Sequence, residues 1–188
     1  PRYSYSAGKI ISEMLAINYG RKHFDRALIF RPHNVYGPAM GWEHVIPQLV
    51  LKVKKIAAAT TEKKIKVPVQ GTGNETRAFI FIKDFVDGLM SVLEKGEHLG
   101  IYHIGTMDEI KMSQVAAEIG KYFGKDIEIV PGKPAKGSPA RRCPDIAKLK
   151  KLGFTPRTPF REGLRITAEW YDKNSDKEPK ESQEGNKL

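Results

Sequence analysis

Segments of helical and strand period alternate along the 188 residues, which predicts an α/β chain with a parallel sheet. Three observations carry that expectation. Apolar residues recur at helical spacing in several long segments, beginning at residues 7–20. Short apolar runs such as "ALIF" and "GIYHIGT" lie between those segments. Glycine or proline punctuates most of the junctions.

From Ala7 the positions Ile10, Ile11, Met14, Leu15 and Tyr19 follow the template of a half-buried helix, with Gly20 as its stop. "ALIF" (27–30) reads as a buried strand, and "NVYGP" (34–38) breaks into a loop. "HVIPQLVLKVKKIAAA" (44–59) is a helix with a basic flank. "KIKVPVQG" (64–71) is a short strand whose Pro68 suggests an edge or irregular pairing, and "TRAFIFI" (76–82) is another strand. "DFVDGLMSVLEKG" (84–96) is a helix with Asp84 as N-cap and Gly96 as stop.

"GIYHIGT" (100–106) reads as a strand and "MSQVAAEIGKYFG" (112–124) as a helix ended by Gly124. "DIEIVPG" (126–132) alternates as a strand does. "PDIAKLKKLG" (144–153) opens and closes as helices do, and "PFREGLRITAEWYDKN" (159–174) supplies a last helix. From Asp172 the chain lacks an apolar anchor, so residues 172–188 are expected to form a disordered tail.

Composition narrows the function classes. Hydrophobic residues at 40% and charged residues at 29% suit a soluble globular protein, and the length allows one sizeable core or one and a half. No uninterrupted apolar run approaches the roughly 18 residues of a membrane span, and no apolar leader opens the sequence. The single cysteine, Cys143, excludes an intrachain disulfide and fits a reducing cytoplasm, so a cytoplasmic location is expected. Pro1 at the threshold of a helix reads as a cut end. The net charge of +10 points to an anionic partner, whether nucleic acid or a phosphorylated metabolite. No recognised nucleic-acid motif accompanies that charge. The histidines are scattered and Cys143 has no neighbouring ligand, so no metal site is expected.

Tyr5 and Lys9, four apart, share one helix face. An ammonium beside a phenol favours the phenolate, as a proton relay requires. By itself this spacing also describes an ordinary surface pair.

Further motifs follow in a fixed order: "YSAGK" (5–9), "RPHNVYGP" (31–38), "EHVIP" (43–47), "VPVQGTGNETRAFIFIKD" (67–84) and "RRCPDIAKLKKLGFTP" (141–156). Together they resemble the extended short-chain dehydrogenase/reductases, the NAD-dependent nucleotide-sugar epimerases and dehydratases. The resemblance covers residues 5 to about 171. It implies the C-terminal part of a Rossmann-type doubly wound parallel sheet plus a smaller mixed α/β substrate-binding region. On that resemblance residues 1–38 would be the end of the dinucleotide-binding domain, and residues 39–171 the substrate-binding region with interleaved Rossmann elements. No G-x-G-x-x-G turn follows a strand in this sequence, and the family's catalytic Ser or Thr has no counterpart either.

By that resemblance Tyr5 is the general acid/base acting on a sugar hydroxyl, and Lys9 holds the nicotinamide ribose of NAD or NADP. Pro32 and His33 pass the nicotinamide carboxamide, largely through backbone groups; the His33 side chain reads equally as a buried histidine. Asn34 maps to a substrate contact, with a turn residue as its alternative. His44 and Val45 map to a helix start that meets the diphosphate and nucleotide, and Gln70 maps to the nucleobase wall. His44 also reads as a plain helix start, and Gln70 as an exposed strand residue. Arg77 is the expected diphosphate ligand, its alternative being a pair with Glu75. Phe79 reads as core.

The late R-P-G-D of many relatives is replaced by "AKGS" (135–138), which leaves Arg141 and Arg142 as candidates for the missing cation, Arg142 being preferred. Asp145 reads as a helix cap. The implied activity modifies a nucleotide-diphosphate sugar through a transient keto sugar, epimerisation first and 4,6-dehydration or decarboxylation next. A non-catalytic nucleotide-sugar-binding fragment is the alternative. The complete protein is expected to be a homodimer that binds neither nucleic acid nor membrane.

Overall fold

A computed structural model describes residues 2–134 and 137–179. Its elements run α1 (Arg2–His23), β1 (Ile29–Pro32), β2 (Val35–Tyr36), α2 (Val45–Ala58), β3 (Lys64–Val69), β4 (Thr76–Ala78) and β5 (Ile80–Phe81). They continue with α3 (Ile82–Lys95), β6 (Ile101–Ile104), β7 (Glu109–Lys111), α4 (Met112–Tyr122), β8 (Asp126–Pro131), β9 (Arg141–Arg142), α5 (Ala147–Lys150) and α6 (Phe160–Lys173). A 3-10 turn, Ser175–Lys177, follows.

Parallel pairing dominates, as alternating helices and strands require. β1 pairs with β6, β2 with β5, and β3 with β8, all in parallel. β4 runs parallel to β9 and antiparallel to β7. Pro68 sits within β3, which has β8 as its one partner among the described residues, so the strand is an edge as its proline suggests.

Two cores share one wall. Ile46, Val50 and Val53 of α2 pack with Ile65, Val67, Val115, Ile119, Leu164 and Tyr171. A second core gathers Val92, Tyr102, Ile104, Ile146, Leu149 and Phe154. Successive side chains of a strand point to opposite faces, and β5 uses this: Ile80 enters the second core and Phe81 the first. β2, hydrogen-bonded to β5, therefore lies at the junction of the two cores, directly after His33 and Asn34.

Several sequence expectations are corrected. The face of α1 read as half-buried is exposed, with Ile10 at 62% and Met14 at 58%. Helical period marks a face able to pack; it does not supply a neighbour to pack on. Asp84 does not cap α3. Phe81 precedes the helix in extended geometry, while Asp84 lies buried in the first turn and accepts the Thr158 amide at 2.8 Å. "TRAFIFI" is broken at Phe79 into β4 and β5. The tail expected from Asp172 is not what residues 172–177 form: α6 runs to Lys173, a 3-10 turn follows at Ser175–Lys177, and Lys54 Nζ reaches Asp172 Oδ1 at 2.8 Å. Residues 180–188 lie outside the described residues, as do Ala135 and Lys136 of "AKGS". Gly124 ends α4 as read, at φ +69°, with the Lys125 amide donating to Gly120 and its own amide to Lys121.

Candidate functional site

α1 carries Tyr5 and Lys9 on one exposed face, with Lys9 Nζ 5.4 Å from the Tyr5 ring centroid. That is within cation–π range. Glu13, one further turn along the same face, receives Arg31 of β1 through two hydrogen bonds, Nε at 2.9 Å and Nη2 at 2.6 Å. The pair ties the tyrosine–lysine face to the end of β1, and it holds the Glu13 carboxyl below the usual carboxylate range.

Beyond Arg31 come Pro32 and His33. The His33 amide donates to Ile104 O at 3.0 Å, continuing the ladder past β1. Its ring Nε2 stands 2.6 Å from Nδ1 of His103, a residue of β6 that sequence reasoning did not single out. Burial, then His103, then Arg31 push the His33 imidazole down to about 4. His33 is therefore neither a free side chain nor a plain core histidine.

Asn34 turns the chain at φ +41°, a left-handed conformation that asparagine tolerates better than most residues. Its Nδ2 donates to Ala78 O at 2.8 Å, and the Ile80 amide donates to Asn34 O. The turn role is thus present. Asn34 also lines an open groove of about 1260 Å³, together with His44, Val45, Gln70, Arg77 and Arg142. Six residues read separately from the sequence as substrate contacts share this one groove. Tyr5, Lys9, Pro32 and His33 are not among its lining residues.

His44 occupies the N-cap position of the 14-residue α2 without a side-chain cap bond. The first-turn amides and the helix dipole favour an anion at that end. Arg77 donates to Thr76 O, Ala140 O, Ser138 Oγ and Pro139 O at 2.7–3.2 Å, so its guanidinium braces the 138–140 loop. The alternative pairing with Glu75 is not what forms. Glu75 instead accepts the Thr72 and Gly73 amides, which hold its carboxyl below the usual range. Phe79 is core, stacked near Tyr36 and Phe160.

The two arginines of "RRCPD" separate cleanly. Arg141 pairs with Glu109 at 2.6 Å, while Arg142 lines the groove opposite Arg77. Asp145 Oδ1 accepts the Ala147 amide at 2.8 Å, but the N-cap position of α5 is Ile146, so Asp145 steadies the turn before the helix from one residue further out.

A parallel α/β scaffold thus carries a tyrosine–lysine helix beside a strand end and an arginine-lined groove beyond it. A sequence model of the NAD dependent epimerase/dehydratase family matches residues 1–105, and the chain belongs to that family. It is 38% identical over 178 residues to a trifunctional UDP-glucose 4,6-dehydratase/UDP-4-keto-6-deoxy-D-glucose 3,5-epimerase/UDP-4-keto-L-rhamnose-reductase of Arabidopsis thaliana. That match covers 93% of this chain and 25% of the relative. A UDP-glucuronic acid decarboxylase of the same plant is 32% identical over 171 residues, covering 89% of this chain and 47% of the relative. The crystal structure of dTDP-glucose 4,6-dehydratase from Bacillus anthracis in complex with NAD superposes with a TM-score of 0.74 at 28% identity. It covers 92% of this chain and 53% of that one. The chain thus spans between a quarter and about half of the length of these relatives, and its fold is the matching part of a Rossmann-type α/β enzyme.

The donor set present suits one end of a dinucleotide. Tyr5 and Lys9 offer a phenol and an ammonium on one exposed face, chemistry that suits the hydroxyls of a nicotinamide ribose, whereas the His33 amide is engaged by Ile104 O and Pro32 carries no N–H. A glycine-rich turn for the pyrophosphate has no counterpart in the sequence. Among the described residues no helix is long and apolar enough to cross a membrane.

Proposed function

We propose that this chain carries the proton-transfer and substrate-binding part of an enzyme that modifies a nucleotide-diphosphate sugar through a transient keto sugar. One observation carries the reading. The segment Pro32–His33–Asn34 joins two specialised places, the tyrosine–lysine face held to β1 by Glu13–Arg31 and the cationic groove that Asn34 enters.

In this reading Tyr5 is the base that takes the proton of a sugar hydroxyl, and Lys9, on the same helix face, holds the ribose of the cofactor. NAD or NADP, when bound, supplies the hydride acceptor and donor. His44 and the first-turn amides of α2 meet the diphosphate together with Arg142, while Arg77 shapes the loop around it. Gln70 and Val45 flank the base. Tyr5 returns the proton when the ketone is reduced again.

Epimerisation, put first above, gains no support over 4,6-dehydration, since the relatives' names include both as well as decarboxylation. The homodimer expected of the complete protein would bury the apolar face of α1, and sedimentation velocity tests it.

The deciding experiment incubates the full natural polypeptide containing residues 1–188 with UDP-, GDP- and dTDP-sugars and NAD, reading products by mass spectrometry and NMR. Loss of water, loss of carbon dioxide, or unchanged mass with altered ring couplings separates the three outcomes. Binding without any product favours the non-catalytic binding fragment instead.

A further inference from the structure

Four side chains, from α1, β1, β6 and the residue just past β1, form a continuous polar chain that the mechanism above does not use. Glu13 accepts Arg31; Arg31 Nη1 lies 3.5 Å from His103 Nε2; and His103 Nδ1 lies 2.6 Å from His33 Nε2. The parallel register of β1 and β6 sets Arg31 against His103, so the chain follows from strand pairing.

The chain has a direction. A guanidinium has five N–H donors and no acceptor, so the ring nitrogen that faces it presents a lone pair. His103 Nε2 is that nitrogen, and neutral His103 must carry its proton on Nδ1. This proton lies between His103 and His33 Nε2, which accepts it. Neutral His33 then carries its own proton on Nδ1.

Two further observations complete the argument. Among the described residues, no side-chain nitrogen or oxygen is both sealed from solvent and without a partner. His33 Nδ1 has no acceptor among them, so it is reachable by solvent. Protonation of His33 is opposed by burial, then by His103, Arg31 and Arg142, and protonation of His103 by burial and then by Arg31. Asp145 and Glu13 act on His103 in the opposite sense, and the net displacement is still downward.

We propose that Glu13, Arg31 and His103 are positioning residues that fix His33 as a neutral Nδ1–H donor to an uncharged ligand oxygen at the end of β1. The inference rests on the functional reading above. It extends the contact expected of this strand end from backbone to side chain. Two oxygens of that chemistry come into question, the carboxamide carbonyl of a nicotinamide and a sugar hydroxyl. His33 does not transfer a proton in this arrangement, because its lone pair is already taken by His103. It orients what the tyrosine acts on.

The test is imidazole nitrogen NMR on the full natural polypeptide with labelled histidine, at neutral pH, with NAD and UDP-glucose added in turn. Both His33 and His103 are expected as Nδ1–H tautomers, and the His33 Nδ1–H signal shifts on ligand binding. A shift with NAD identifies the carboxamide, and a shift with UDP-glucose identifies the sugar. Arg31→Met, a change at an exposed side chain, should release His103 into a mixture of tautomers. His33→Phe should weaken the responding ligand about three- to tenfold, the loss of one neutral hydrogen bond.

An Nε2–H tautomer of His33 in the unmodified protein overturns the proposal. So do tautomers that Arg31→Met leaves untouched. Calorimetrically confirmed binding of both ligands without a His33 response overturns the donor role. Failure of either ligand to bind overturns the functional reading itself, while the tautomers of the free protein still decide whether the lock exists.

Discussion

Arg142 stands opposite Arg77 in the parallel pairing of β9 with β4, and both line the groove entered by Asn34 and His44. Like charges at neighbouring positions of a sheet repel. Burial, followed by the field of Arg142, accordingly pulls the Arg77 pKa below the ordinary arginine value. Arg77 is fastened to the 138–140 loop by four oxygens, whereas Arg142 has no carboxylate partner among the described residues. An anion seated between them would relieve the repulsion.

Arg142→Gln should therefore weaken UDP or dTDP binding about ten- to a hundredfold, the range for a hydrogen bond to a charged group. It should also flatten the dependence of affinity on salt. Arg141→Gln provides the control, because Arg141 is occupied by Glu109 and should leave affinity within about twofold. Calorimetry at two ionic strengths measures both. Equal losses in the two variants would remove Arg142 from the diphosphate site.

Tyr5 is 73% exposed and contributes little packing, so its hydroxyl can be deleted without structural cost. Tyr5→Phe in the full natural polypeptide should keep the melting temperature and sugar-nucleotide affinity of the unmodified protein. Turnover should fall by at least about a hundredfold, the lower range for losing a general acid/base. Turnover within tenfold of the unmodified enzyme would sink the assignment of Tyr5.

The long elements were legible because period alone determines them. α2 buries Ile46, Leu49, Val50 and Val53 at the spacing its sequence displays. Strands β2, β7 and β9 were not legible, since two or three residues carry no measurable period and their pairing is set by distant partners. The six groove residues were found through motif resemblance, and the structure adds that they are neighbours. His103 was missed because nothing in "GIYHIGT" marks it. Its significance arises from the register that sets it beside Arg31 and within reach of His33. Asp84 was misassigned for a related reason: a carboxylate near a helix start looks like a cap until a distant amide, that of Thr158, is known to approach it.

That contact supplies a stability prediction. Asp84 is 2% exposed and accepts the Thr158 amide, in the chain leading to α6. Asp84→Ala leaves that amide without its acceptor, at a cost of about 1–3 kcal/mol. For a chain of this size each kcal/mol lowers the melting temperature by roughly 2–4 °C. Asp84→Asn keeps an acceptor oxygen and should lose less. Calorimetric melting of the three proteins checks the order, and an Asn variant as weak as the Ala variant would show that charge, not the accepted hydrogen bond, is what matters.

The His33–His103 pair predicts how stability responds to acid. His33 has its folded pKa pushed down to about 4, below an unfolded value near 6.5, and His103 is displaced in the same direction. Between those values the unfolded chain binds more protons than the folded one, so stability rises with pH across the window. The contribution is fully present above about pH 6.5 and is lost as pH falls towards about 4. Carboxylates held low by their partners, such as Glu13 and Asp172, add losses of the same sign, starting nearer pH 4.5 than 6.5. Melting temperatures between pH 7.5 and 5 therefore isolate the histidines. The slope should be clear in the unmodified protein and reduced in His33→Gln, which removes one titrating ring. Identical slopes in the two proteins would mean that His33 protonates as freely in the folded chain as in the unfolded one, and that the ring contact does not hold it neutral.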